Sequence, residues 1–194
     1  QTKAQLVSQV SDAQNNTTGG SNAGDSFTGT DAVDNTLFGF NAGTAITTAD
    51  NTVAVGYNAL ASTTTQGKQT AIGYEALTAS TTGEFNTAVG YRSLDANTSG
   101  DRNTGLGNHS LGVNTTGSYN VALGMHTLAA NTTASNNTAV GYIALGVNTT
   151  GTKNTAVGYN AADANTTGNF NVALGADSLT ANTTGSSNTA LGVE

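Results

Sequence analysis

The chain has 194 residues, of which 36% are hydrophobic, 6% aromatic and 9% charged, so its apolar content rests on alanine, valine and leucine, and this excludes one large globular core. Five Lys and Arg against twelve Asp and Glu give a formal charge of −7, which leaves no basic patch for phosphates and excludes nucleic acid as a partner. Cysteine and proline are absent, which removes a disulfide framework, zinc-finger spacing and a thiol nucleophile, and the lack of proline is unlike a disordered segment.

In chain order, residues 1–34 form an entry segment that does not fit the pattern of the rest. Leu6, Val7, Val10 and Ala13 recur at helical spacing and predict a short helix or coiled-coil turn. Asn16 to Gly19 then reads Asn-Thr-Thr-Gly ahead of an irregular first coil. The chain opens on Gln1 with no visible signal peptide, which fits a processed form or an excised fragment.

Residues 35–194 form a second region in which one unit repeats. Gly39, Gly56, Gly73, Gly90, Gly107, Gly124, Gly141, Gly158, Gly175 and Gly192 follow one another at 17 residues without insertion or deletion. A fixed period of this kind marks a solenoid. The residue before each glycine is large and apolar: Phe38, Val55, Ile72, Val89, Leu106, Leu123, Val140, Val157, Leu174 and Leu191. Two before it stands a small residue, Ala54, Ala71, Ala88, Gly105, Ala122, Ala139, Ala156, Ala173 or Ala190, with Leu37 as the exception. Successive strand residues point to opposite faces, so the aliphatic column is expected to be the core. The Ala/Gly column is then a second apolar face that needs cover.

Four residues after the glycine comes Leu60, Leu77, Leu94, Leu111, Leu128, Leu145 or Leu179, and a Thr-Thr pair recurs in most units, within Asn-Thr-Thr-Gly at residues 114–117, 148–151, 165–168 and 182–185. Seventeen residues cannot hold two helices and a turn, and Asn, Thr and Gly are poor helix formers that favour turns. Each unit is therefore expected to be one coil of strand, glycine bend, second short strand and turn. The fold class is an all-β, parallel β-solenoid of about ten coils, a rod roughly 45 Å long at about 4.8 Å per coil. An unfinished coil at Glu194 would leave an open strand edge, which leads us to expect that the parent protein continues. The longest apolar stretch, near Ala139 to Val147, is too short to span a bilayer, so no membrane insertion is expected.

The segments Asn86 to Tyr91, Asn137 to Tyr142 and Asn154 to Tyr159 (NTAVGY), with Val121 to Gly124 and Val172 to Gly175 (VALG), resemble the β-roll repeats in the heads of trimeric autotransporter adhesins. The NTAVGYNAL and NTTG units are also similar to repeats of bacteriophage tail-fibre proteins. The resemblance covers residues 35–194 and implies a left-handed parallel β-roll, a side-by-side homotrimer and an extracellular place on a cell surface or virion. It implies a trimer interface on the small-residue face named above, with a host-cell surface receptor or glycan as the outside partner. The adhesin pattern has a shorter period and lacks the Asn-Thr-Thr-Gly arm, so a matrix-binding activity does not carry over.

Few residues offer chemistry. Two residues after the glycine the column reads Asn41, Asn58, Glu75, Arg92, His109, His126, Ile143, Asn160 and Asp177, a solvent-facing series. His109 and His126 stack in adjacent coils and are a weak candidate for metal binding, because imidazole takes Zn, Cu, Fe and Ni. No carboxylate accompanies them in the same rung, and a solvated pair is the plainer reading. Glu75 beside Arg92 reads as a surface ion pair. The asparagines four before the glycine, such as Asn86, Asn103 and Asn120, read as a stacked amide ladder rather than a sugar-binding edge.

Asp95 and Asp163 share a repeat position four coils apart, roughly 19 Å, which is too far for a glycosidase carboxylate pair. No catalytic residue and no cofactor is assigned. Two functions remain. One is a structural or adhesive fibre segment, shaft or head; the other is an ice-binding solenoid that uses its Thr ladders. Neighbouring Thr residues in a strand would point to opposite faces, which disfavours the second.

Overall fold

β-Branched Thr and Val begin most rungs and suit a pleated strand, and in the computed structural model, which describes residues 10–11, 13–27 and 31–193, every repeat contributes one strand of three residues. Ten such strands, from Thr36–Phe38 to Thr189–Leu191, run parallel in a single sheet. Residues 17 apart pair in register, as Ala71 does with Ala88 and Val89 with Leu106. Thr17–Gly19 adds one more parallel strand, and Val10–Ser11 pairs antiparallel with it. Val10 thus lies in a strand and Ala13 in a turn, against the expected helix; Leu6 and Val7 fall outside the described residues.

The expected second strand of each coil does not form. After the glycine the chain turns through two left-handed residues, such as Arg92 at φ 50° and Leu94 at φ 54°, and the same pair of conformations recurs coil after coil. A non-glycine residue in this region costs roughly 1–2 kcal/mol, which burying a leucine side chain, worth about 1.5–3 kcal/mol, offsets. Backbone hydrogen bonds still run from rung to rung here: Leu94 N–H donates to the Ser110 carbonyl at 3.0 Å and Arg92 N–H to the Tyr74 carbonyl at 2.9 Å. The anchoring glycines are needed for both shape and closeness. Gly90 has φ 132°, and a Cβ there would stand 2.6 Å from the Gly107 carbonyl oxygen of the next rung.

The two strand faces are the reverse of the expectation. Ala54, Ala71, Ala88, Ala122, Ala139, Ala156 and Ala173 are fully buried inside the coil, Gly105 is buried with them, and only Ala190 at the last rung is half-buried. They pack in one cluster with the fully buried Leu60, Leu77, Leu94, Leu111, Leu128 and Leu145 from the opposite arm. The aliphatic column read as core lies outside. Val55, Val89, Leu123 and Val140 are half-buried, and Ile72, Leu106, Val157 and Leu174 are exposed.

Coil width decides this. A 17-residue loop leaves room for one leucine against one alanine, and a Cβ on Gly105 would already meet Ser93 Oγ at 2.6 Å and Leu94 Cδ1 at 3.3 Å. A second branched side chain would overpack the interior. The small-residue column is therefore not a surface that a partner chain can reach.

Two buried asparagine columns complete the interior. Asn103, four residues before its glycine, donates from Nδ2 to the Gly117 carbonyl at 2.8 Å, and its Oδ1 accepts the Asn120 N–H at 3.0 Å. A second column, Asn97, Asn114, Asn131, Asn148 and Asn165, links side chain to side chain, Asn114 Nδ2 to Asn97 Oδ1 at 2.8 Å and onward. The expected amide ladder is present and lies inside, where it cannot serve as a sugar-binding edge.

Candidate functional site

The interior asparagine and leucine columns are filled, so the outward columns are what the rod presents to its surroundings. The residue after each glycine is often aromatic, a column that the sequence reading passed over. Phe40, Tyr57, Tyr74 and Tyr91 stack at centroid distances of 5.5, 5.1 and 5.2 Å, and all four are exposed. Tyr142 and Tyr159 form a second stack at 5.5 Å.

A further outward column, five residues before the glycine, alternates cations with rings. Lys68 lies 5.1 Å from the Phe85 ring centre, Arg102 lies 4.9 Å from Phe85 and 5.5 Å from Tyr119, and Lys153 lies 4.9 Å from Phe170. Contacts of this kind contribute about 0.5–1 kcal/mol at exposed sites and stiffen that edge.

The aromatic column breaks at Asn108 and Met125, and the chain's two histidines stand beside the break. Tyr91 meets His109 edge-on at 5.4 Å, and His109 stacks on His126 at 5.5 Å with the rings within 4° of parallel. The expected His109 and His126 pair therefore exists, half-buried rather than fully solvated. Below them Arg92 makes the expected ion pair with Glu75 at 2.7 Å and approaches Asp95 Oδ2 at 4.0 Å. The Glu75 hydrogen bond, with its charge, raises the Arg92 pKa further and keeps the guanidinium charged.

In the sequence Asp95 reads only as a distant partner of Asp163. In the fold it adjoins the histidines of the next rungs and shares with them an open cavity of about 400 Å³, lined by Arg92, Asp95, His109, Gly112, Val113, His126 and Ala129. Burial pushes its carboxyl above the usual carboxylate range, with His109 and Arg92 pulling it partly back. Its Oδ1 is the one buried side-chain polar atom without a hydrogen-bond partner among the described residues. No group of three His, Asp or Glu side chains among the described residues has the placement to hold a metal ion, so His109 and His126 do not form a metal centre with Asp95 in this arrangement. The signal in the sequence was the run Asp95, Gly112, Ala129 at one repeat position, where glycine opens space above a carboxylate.

No family model, curated protein or solved structure matches the chain. Among the described residues no helix is long and apolar enough to cross a membrane.

Proposed function

We propose that this chain is a non-catalytic segment of a trimeric fibre, shaft or receptor-binding head, of the kind carried on phage tails or bacterial surfaces. One observation carries the reading. The outward strand columns three and one residues before the glycine, with the aromatic column just after it, comprise thirty positions without a single charged residue. Exposed Ile72, Leu106, Val157 and Leu174 run along this strip. A stable interface employs roughly 20–30 residues a side, and a charge-free strip with exposed aliphatic and aromatic side chains along it fits a site of association. A second and third copy of the chain fit it best, because the strip repeats every 17 residues and an identical repeat can match it rung for rung.

This reading moves the interface from the Ala/Gly face to the opposite side of the same strand, while the likeness to adhesin and tail-fibre repeats favours the trimer and the extracellular setting. It is tested by thermal unfolding across a dilution series, since folding linked to association raises the midpoint with concentration. A midpoint independent of concentration would contradict it.

A second reading, ice binding, gains from one observation. Each Thr-Thr pair from Thr47 onward lies in a bend rather than a strand, so Thr81 and Thr82, or Thr64 and Thr65, are both exposed. The first hydroxyl of most pairs is engaged, as in Thr81 Oγ1 to the Thr98 carbonyl at 3.2 Å and Thr115 Oγ1 to the Thr132 carbonyl at 3.0 Å. That leaves at most one free hydroxyl column, interrupted at Thr65, whose Oγ1 donates to Gln66 Oε1 at 2.9 Å, which favours the fibre. Thermal hysteresis abolished by Thr116→Tyr would reverse the order.

A further inference from the structure

Five of the chain's six tyrosines, Tyr57, Tyr74, Tyr91, Tyr142 and Tyr159, occupy one repeat position, the residue after the anchoring glycine. The rungs hold them as two separate stacks. Tyr57, Tyr74 and Tyr91 follow one another at 5.1 and 5.2 Å with the rings 9° and 10° from parallel, and Tyr142 lies 5.5 Å from Tyr159 at 14°. Equivalent atoms of two parallel rings are displaced by the same vector as their centres. Each carbon ortho to a phenol oxygen therefore stands about 5 Å, one rung, from its counterpart. Stacking alone does not ask for the hydroxyl, since phenylalanine stacks as well, as Phe40 does on Tyr57.

Composition makes these phenols the principal targets of an oxidant. Thiols and thioethers normally react first, but the chain has no cysteine, no tryptophan and the single methionine Met125. All five stacked rings are exposed. Tyr119, the sixth tyrosine, is as exposed as Tyr159 but stands in another column, with Arg102 and Asn136 on the rungs either side. It is the control that the repeat itself provides.

We propose that the two stacks are sites of oxidative cross-linking, at which neighbouring tyrosines couple into dityrosine and staple one rung to the next. A one-electron oxidant, such as a haem peroxidase supplied with hydrogen peroxide, takes one electron and one proton from each of two phenols. The two radicals carry spin on their ortho carbons, a single carbon–carbon bond forms there, and the two ortho hydrogens move to the phenol oxygens. Two tyrosines and one hydrogen peroxide thus give one dityrosine and two waters. Closing the gap to a bond takes a turn of the side-chain torsions, which exposed side chains make readily. The link closes a 17-residue loop and so removes conformations from the unfolded chain, as a disulfide would in a chain that had cysteine. It joins residues of one copy, and does not rest on the trimer.

The full chain is treated with a haem peroxidase and hydrogen peroxide, followed by dityrosine fluorescence, and then digested for mass spectrometry. The expected links are Tyr57 to Tyr74, Tyr74 to Tyr91 and Tyr142 to Tyr159, in material that keeps the mass of one copy under denaturing conditions, with Tyr119 outside every link. The linked chain should show a higher urea midpoint than the untreated one. Tyr74→Phe keeps a ring in the stack, yet removes both links of the first stack, because Tyr57 and Tyr91 stand two rungs apart, roughly 10 Å. The Tyr142 to Tyr159 link remains in that variant as the internal standard. The proposal is overturned if no dityrosine forms, if Tyr119 is linked as often as the stacked tyrosines, or if the links join separate chains. A Tyr57 to Tyr91 link in Tyr74→Phe, or an unchanged urea midpoint of the linked chain, would overturn it equally.

Discussion

Val89 and Leu106 pair in register on neighbouring parallel strands, and both turn away from the core, Leu106 with 45% of its surface exposed. Cα partners across a parallel ladder present side chains to the same side, so this pair is one step of an apolar stripe on the outside of the rod. Leu106→Lys is expected to leave the coil folded and to dissociate the assembly. Burying a lysine charge in a contact that had held a leucine forfeits about 1.5–3 kcal/mol of apolar burial and adds the cost of an unpaired charge. Thr149→Ala, on the turn side, should leave the assembly intact. Size-exclusion chromatography of the two variants side by side checks this.

Ala156→Leu makes the complementary case. Ala156 is fully buried within its own coil, so the added carbons strain the single chain by about 1–3 kcal/mol whatever the state of assembly. Urea unfolding at one fixed protein concentration should show a lower midpoint than the native chain. An unchanged midpoint would place residue 156 outside the core.

Much of this was legible in the sequence, and the part that was not has a definite cause. The constant 17-residue spacing of the glycines fixes the register, because residues one period apart must pair. The asparagine ladder follows from the same spacing. Alternation, however, cannot say which of two apolar columns points inward: Ala88 and Val89 would satisfy either orientation, and only the width of the closed coil, set by Leu94 opposite, decides. Nor does spacing bring Asp95 to His109. They occupy different repeat positions on adjacent rungs, and they meet because Arg92 and Leu94 adopt left-handed turns that a strand reading does not contain.

The interior amides lead to a third expectation. Asn120 donates from Nδ2 to the Ala134 carbonyl at 2.8 Å and accepts the Asn137 N–H at 3.0 Å on Oδ1. Asn120→Ala strands the buried Asn137 N–H, at about 1–3 kcal/mol, while the Ala134 carbonyl keeps the Asn131 amide at 3.0 Å. Asn136→Ala, an exposed neighbour, should cost far less, although it loses a residue suited to φ 63°. Differential scanning calorimetry of both variants measures the contrast.

Asp95 gives the pH dependence. Its carboxyl is raised from 3.8, by burial first, so the folded state prefers the protonated form. The stabilising contribution is then fully present below the unfolded value and is lost as pH rises through the raised folded value. Asp95→Asn removes that loss. The variant should melt higher than the native chain at neutral pH, with the difference shrinking toward zero in acid. A melting difference that is constant across the range would show that the carboxylate is not desolvated.

The interface on the charge-free strip is tested most directly by sedimentation equilibrium of the native chain beside Leu106→Lys. The native chain, at 19.2 kDa per copy, is expected to sediment as a single species of three times that mass, and the variant as a folded monomer. A native chain that is itself a folded monomer, or a variant that remains trimeric, would contradict it.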